Sequence, residues 1–200
     1  MSRSSKIAGI MLLTAAVIGW SACRRSANPI PILGTPDETA DAAKIVADAN
    51  QDLLKIRVLY DQNEDKRIEL KKAMEANDAE KAKKIADDVV YVINDGASFA
   101  NSAVEKLQKA QEMQINDDYR EYLRLKEESL KFEIDAFENY RQAARMLRDS
   151  FDPKNAALRE KVKAEFKTRS DNYLRLMEQA RDYSQRANEL SKSVMQDEKQ

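Results

Sequence analysis

The chain predicts an all-α fold, an elongated antiparallel four-helix bundle with coiled-coil-like heptad seams, and three observations carry that expectation. Residues 37–200 are charged and rich in Ala, Lys, Glu and Leu, with Gly96 their only glycine and Pro153 their only proline. Such a composition favours helix and leaves almost no turn chemistry for strands. Apolar residues recur in alternating steps of four and three, the spacing of one helix face. The periodic segments are similar in length and separated by short breaks, which suits up-down-up-down packing.

The first segment carries Ala42, Val46, Ala49, Leu53, Ile56, Tyr60, Asn63, Arg67, Leu70 and Met74 in a/d spacing, with only Asn63 and Arg67 interrupting the apolar seam. In the second, Ala82, Ala86, Val89, Ile93, Gly96, Ala100, Ala103, Leu107 and Ala110 repeat the pattern, and Ile85, Val92 and Phe99 widen the stripe. Small residues around Gly96 are expected to let a neighbouring helix come close. The third segment has one broad face, from Tyr119 and Leu123 through Leu130, Ile134, Phe137, Tyr140, Ala144 and Leu147 to Phe151, with Lys126 and Glu133 on the strict seam. Tyr122 and Phe132 fall off that face, where joint exposure would make them part of a partner surface. The fourth runs from Val162 and Phe166 through Tyr173, Leu176, Ala180, Tyr183, Ala187 and Leu190 to Val194, with Arg169 its single polar interruption.

Three breaks separate the segments. Asn77-Asp78 offers a residue that tolerates the left-handed conformation, followed by a capping aspartate. Near Asn116-Asp117 the seam loses phase, which a continuous helix has no need to do. Asp152-Pro153 reads as an N-cap with proline at the first helical position. The alternative is continuity of helices two and three, giving a three-segment rod that dimerises. Measured along antiparallel helices at ~1.5 Å per residue, Asn63, Arg67, Glu133 and Arg169 share one zone, with Glu133 and Arg169 as neighbours. They form either a polar layer that fixes register or a buried ligand site.

Residues 1–22 form a separate unit: Arg3 and Lys6, then an uncharged apolar run over 7–20, as in a signal peptide. The run is short for a membrane span of roughly 20 residues. Trp20-Ser21-Ala22-Cys23 resembles the lipobox of bacterial lipoproteins. The resemblance covers residues 1–23 alone and implies that Cys23 is lipidated and becomes the N-terminus; an uncleaved anchor and ordinary secretory cleavage are the alternatives. Residues 23–36 then read as the anchored cysteine and a tether containing Pro29, Pro31, Gly34 and Pro36. Residues 37–200 form the bundle domain. With one cysteine in the chain, no intramolecular disulfide supports it.

The chain has 34 basic and 35 acidic side chains and no histidine. Residues 1–22 hold two basic and no acidic side chains, so their removal takes the formal charge from −1 to −3. A mixed, mildly acidic surface offers no stripe for nucleic acid. Absence of histidine removes the commonest general base and metal ligand, and with it the Glu-x-x-His pairs of di-iron bundles. No glycine-rich phosphate loop is present. No catalytic residue, cofactor or metal is expected. The expected function is a non-enzymatic cell-envelope protein, held at the membrane by its N-terminal lipid and facing the periplasm or exterior, that binds another envelope protein as an adaptor or spacer. A small-molecule or lipid-binding module and a holdase-type chaperone are the alternatives. A homodimer is compatible with the seams.

Overall fold

A computed structural model describes residues 37–197; the signal segment, Cys23 and the whole tether lie outside them. Four helices follow one another: α1 (Thr39–Glu75), α2 (Ala79–Gln111), α3 (Asp117–Ser150) and α4 (Ala156–Asp197). No strand occurs among the described residues. Helix α1 packs along α2, α2 along α3, and α3 along α4. Cross-helix bonds set the antiparallel register: Lys66 reaches Asp88 at 2.9 Å and Lys106 reaches Asp52 at 2.6 Å between α1 and α2. Gln108 with Glu127 at 2.7 Å and Arg148 with Asp87 at 3.2 Å do the same between α2 and α3.

Each break has its own local cause. Asn77 takes φ of 55°, and its N–H donates to Met74 O while that of Asp78 donates to Ala73 O, the paired bonds of a Schellman end. The Asp78 carboxylate then caps α2 by accepting from the Lys81 N–H at 3.1 Å. At the second break Asn116 Oδ1 accepts from the Tyr119 N–H at 2.7 Å, so α2 and α3 are separate helices. The Arg120 guanidinium donates to the carbonyls of Gln111, Met113 and Ile115, tying off the end of α2. Glu38 joins this connection to the start of α1, donating its N–H to Gln114 O and accepting from the Gln114 N–H.

The third break corrects the sequence reading. Helix α4 begins at Ala156, and its cap is Asn155, whose Oδ1 accepts from the Leu158 N–H at 3.0 Å. Asp152 instead closes a turn by accepting from the Lys154 N–H at 2.8 Å. The physical reason lies one residue earlier: Phe151 is fully buried in an extended conformation, so the chain has to leave α3 before it can turn into α4.

Every predicted seam residue of α1 and α2 is buried or half-buried, as are those of α3 and those of α4 through Leu190. The core has two parts. Around the Asn77 turn all four helices contribute, with Leu70, Val89, Tyr140, Leu147, Phe151, Phe166 and Tyr173 in one cluster. Towards the other end a second cluster draws on α1, α2, α3 and the connection at Ile115, including Ala49, Ile56, Leu107, Leu123 and Leu130. There α4 lies against α3, where Ser129 Oγ donates to Ala180 O at 2.7 Å and Phe132 stacks on Tyr183 at 5.4 Å. Tyr122 and Phe132 are therefore half-buried ring partners within the bundle, and no joint exposed patch forms.

Gly96 has helical backbone and no special requirement for glycine. A Cβ placed on it would meet Leu59 Cδ1 at 3.5 Å, an ordinary van der Waals contact. Glycine inside a helix is less favourable than alanine by about 1 kcal/mol. Gly96→Ala is expected to stabilise the bundle by about 0.5 to 1 kcal/mol, read as a higher urea midpoint at unchanged slope. A lower midpoint would mean that close approach of α1 does depend on the missing side chain.

Candidate functional site

The four polar seam residues do not form one layer. Arg169 pairs with Glu165 at 2.9 Å and donates to Gln142, both towards the connection between α3 and α4. Glu133 stands about two helical turns away along that interface, so the predicted Glu133–Arg169 contact is absent. The later start of α4 accounts for part of this, because it draws Arg169 about one turn closer to the connection.

Arg67 sits in an aromatic cage. Its guanidinium lies 4.5 Å from the Tyr173 ring centre and 5.3 Å from that of Tyr140, and it pairs with Glu64. Burial works against its charge, but Tyr173, Glu64 and Tyr140 outweigh it and raise the pKa above the usual value. Burial likewise pushes up both phenols. Arg67 is thus a fixed cation held by π faces, and its role here is packing between α1, α3 and α4.

Asn63 and Glu133 are brought together with a cavity of about 260 Å³ between α1, α2 and α3. Asn63 is 1% exposed, and neither its amide nitrogen nor its oxygen has a hydrogen-bond partner. Tyr60 and Phe137 add rings to the wall, edge to face at 5.7 Å. Ile56, Val92, Leu130 and Ile134 supply aliphatic surface. Arg141 and Glu138 line it too but pair with each other, and Arg141 also donates to Asn94 at 2.8 Å. Among the described residues Glu133 has no hydrogen bond or ion pair, and only Lys126 acts on it through charge. Burial, opposed only in part by Lys126, pushes its carboxyl up to about 7. Lys126 shows the mirror effect, its pKa lowered by burial against the pull of Glu133.

Compared with family models, curated proteins and solved structures, the chain matches none of them. The site therefore has to be judged on its own chemistry.

Two further buried carboxylates contrast with Glu133 because both are satisfied. Asp52 accepts from Lys106 Nζ at 2.6 Å and Ser102 Oγ at 2.8 Å, and these bonds, that of Lys106 foremost, hold its pKa below the usual carboxylate range against burial. Glu127 accepts from Gln108 at 2.7 Å and Gln111 at 2.6 Å and pairs with Lys131 at 2.7 Å; burial opposes its charge, yet these partners keep its pKa low. Neither was visible as a seam position. The pairings with α2 become readable only when the register between neighbouring helices is known, whereas Glu127–Lys131 is an i,i+4 pair within α3. Among the described residues, no group of three or more Cys, Asp or Glu could hold a metal ion, and no helix is long and apolar enough to cross a membrane.

Proposed function

We propose that this chain is a non-catalytic lipoprotein of the bacterial cell envelope, anchored through Cys23, whose bundle docks an amphipathic helix of another envelope protein on the outer face of α1. The observation that carries the reading is a second apolar seam on that helix. Ala40, Ala43, Ala47, Leu54, Val58 and Ile68 lie on one outward line of the helix at steps of three, four, seven, four and ten residues, with Asn50, Asp61 and Asp65 in the gaps, and all six are exposed, Leu54 by 62%, Val58 by 57% and Ile68 by 48%. A helix inside a bundle needs one apolar face. A second, interrupted one at helical spacing fits another helix, because a helix presents knobs at that period. The lipidated cysteine and extended tether would hold this face beside the membrane, where envelope partners are concentrated.

A photocrosslinking residue at Leu54, introduced into the full chain in cells, is expected to give one discrete adduct with a different protein. A Val58→Asp substitution should abolish it, and the same residue at exposed Lys83 on α2 should give none. Because Val58 is exposed, its replacement should change stability by no more than about 0.5 kcal/mol. An adduct with a second copy would replace the adaptor reading by self-association, and absence of any adduct would overturn the docking face. Fatty-acid labelling lost in Cys23→Ala tests the anchor separately. Cleavage before Cys23 also removes Trp20, the only tryptophan, so mature protein should lack indole emission.

A further inference from the structure

The central cavity holds three side chains with polar atoms that the fold leaves unanswered, Asn63, Glu133 and the buried Nε of Arg141. Buried side-chain polar atoms in folded proteins almost always have a partner, and Asn63, inside the wall at 1% exposure, has none for either end of its amide. Glu133 faces the same space with a carboxylate that no side chain bonds. The other charges around the cavity do not answer it. On α3, Arg141 spends its charge on Glu138, though its buried Nε–H has no partner, and Lys126 acts on Glu133 only at a distance. On α1 the one titratable wall residue is Tyr60, and the α2 wall has none. What remains is one carboxyl without a paired cation, which burial leaves about half protonated near neutral pH until a cation joins it, one amide oxygen able to accept, two ring faces and aliphatic surface.

These features discriminate among ligand classes. A neutral alcohol or amide would serve Asn63 but gain no charge attraction from Glu133, which would stay protonated beside it, and a carboxylate would oppose ionisation of Glu133. A protonated amine supplies donors and positive charge together, and the rings of Tyr60 and Phe137 favour a cation at their faces. At ~30 Å³ for each water of liquid, the cavity of about 260 Å³ has the volume of roughly eight or nine waters, which suits a small aryl or alkyl amine. We propose that the cavity is a binding site for a protonated primary amine with a compact apolar body, its ammonium held between the Glu133 carboxylate and the Asn63 amide oxygen and its body against Val92, Leu130 and Phe137. This site is independent of the outer face of α1.

Calorimetric titration of the full mature chain with phenethylamine, phenethyl alcohol and phenylacetate at neutral pH tests the assignment. The amine is expected to bind with a Kd on the order of 1 mM or lower and at least about 10-fold more tightly than the alcohol. Glu133→Gln should erase that preference, and Asn63→Leu should weaken the amine about 5-fold or more. Both substitutions remove an unsatisfied polar group, so both variants should keep the helical circular dichroism of the parent. Equal binding of amine and alcohol, tighter binding of phenylacetate, binding that survives Glu133→Gln unchanged, or no binding by any probe would each overturn the proposal; the last would leave water as the occupant.

Discussion

Tyr140→Ala is expected to destabilise the bundle by about 4 kcal/mol, within the range of large-to-small aromatic truncations in cores. Tyr140 is 1% exposed and stands where α1, α3 and α4 meet. Its ring lies edge-on to Phe166 at 5.8 Å and tilted to Tyr173 at 5.4 Å, with the Arg67 guanidinium over it at 5.3 Å. Three effects therefore fall together: lost burial, two lost aromatic pairs worth about 0.5 to 1.5 kcal/mol each, and a buried cation deprived of one of its two π faces. The surrounding helices cannot collapse into the gap without shifting whole elements against one another. Domains of this kind have about 5 to 15 kcal/mol of total stability, so the variant should sit near the edge of folding at body temperature. Urea unfolding followed by circular dichroism gives the value; a loss below about 1.5 kcal/mol would show that the cluster at this end is less tightly packed than its burial indicates.

The same cluster shows what could be inferred from the chain alone. The seam positions of all four helices follow from a single period, because each side chain's direction depends only on its own helix. Asn77-Asp78 could be read for a similar reason: a left-handed residue and a cap act over four or five residues. Relations between helices were harder. Glu133 and Arg169 both interrupt seams, yet whether they meet depends on where α4 starts, and Asp152 and Asn155 are both good caps only three residues apart. Burial of Phe151 decides between them, and that is a tertiary fact. Asp52 and Glu127 stand beside their helices' seams and not on them, and the partners they find on α2 sit at register positions that no single helix reveals. The outer stripe of α1 could have been counted from Leu54, Val58 and Ile68, but a stronger inward seam on the same helix masks it.

Stability of the wild-type protein relative to Glu133→Gln is expected to fall as pH rises from about 4.5 to about 7, the two limits being the ordinary and the folded values of this carboxyl. The sign follows from proton binding. Between those values the folded chain keeps a proton on Glu133 that the unfolded chain has already released, so raising pH favours unfolding. Below the lower limit both states carry the proton and the two proteins should be nearly equal; above the upper limit both have lost it and the deficit is complete. A shift of this size corresponds to about 3 kcal/mol, which partial solvent access of the half-buried side chain reduces to about 2 kcal/mol. Asp52 and Glu127, whose pKa values are lowered, act in the opposite direction, their support being lost only as pH falls through their folded values. They are present in both proteins, so the comparison removes them. Paired urea titrations at pH near 4 and near 8 measure the difference directly. Glu133→Gln should gain about 2 kcal/mol at the higher pH and almost nothing at the lower. A gain independent of pH would mean that Glu133 is already satisfied when ionised, which would take away the uncompensated charge on which amine recognition depends. Lys126→Met should deepen the deficit at high pH, since Lys126 is the one charge that opposes burial at Glu133.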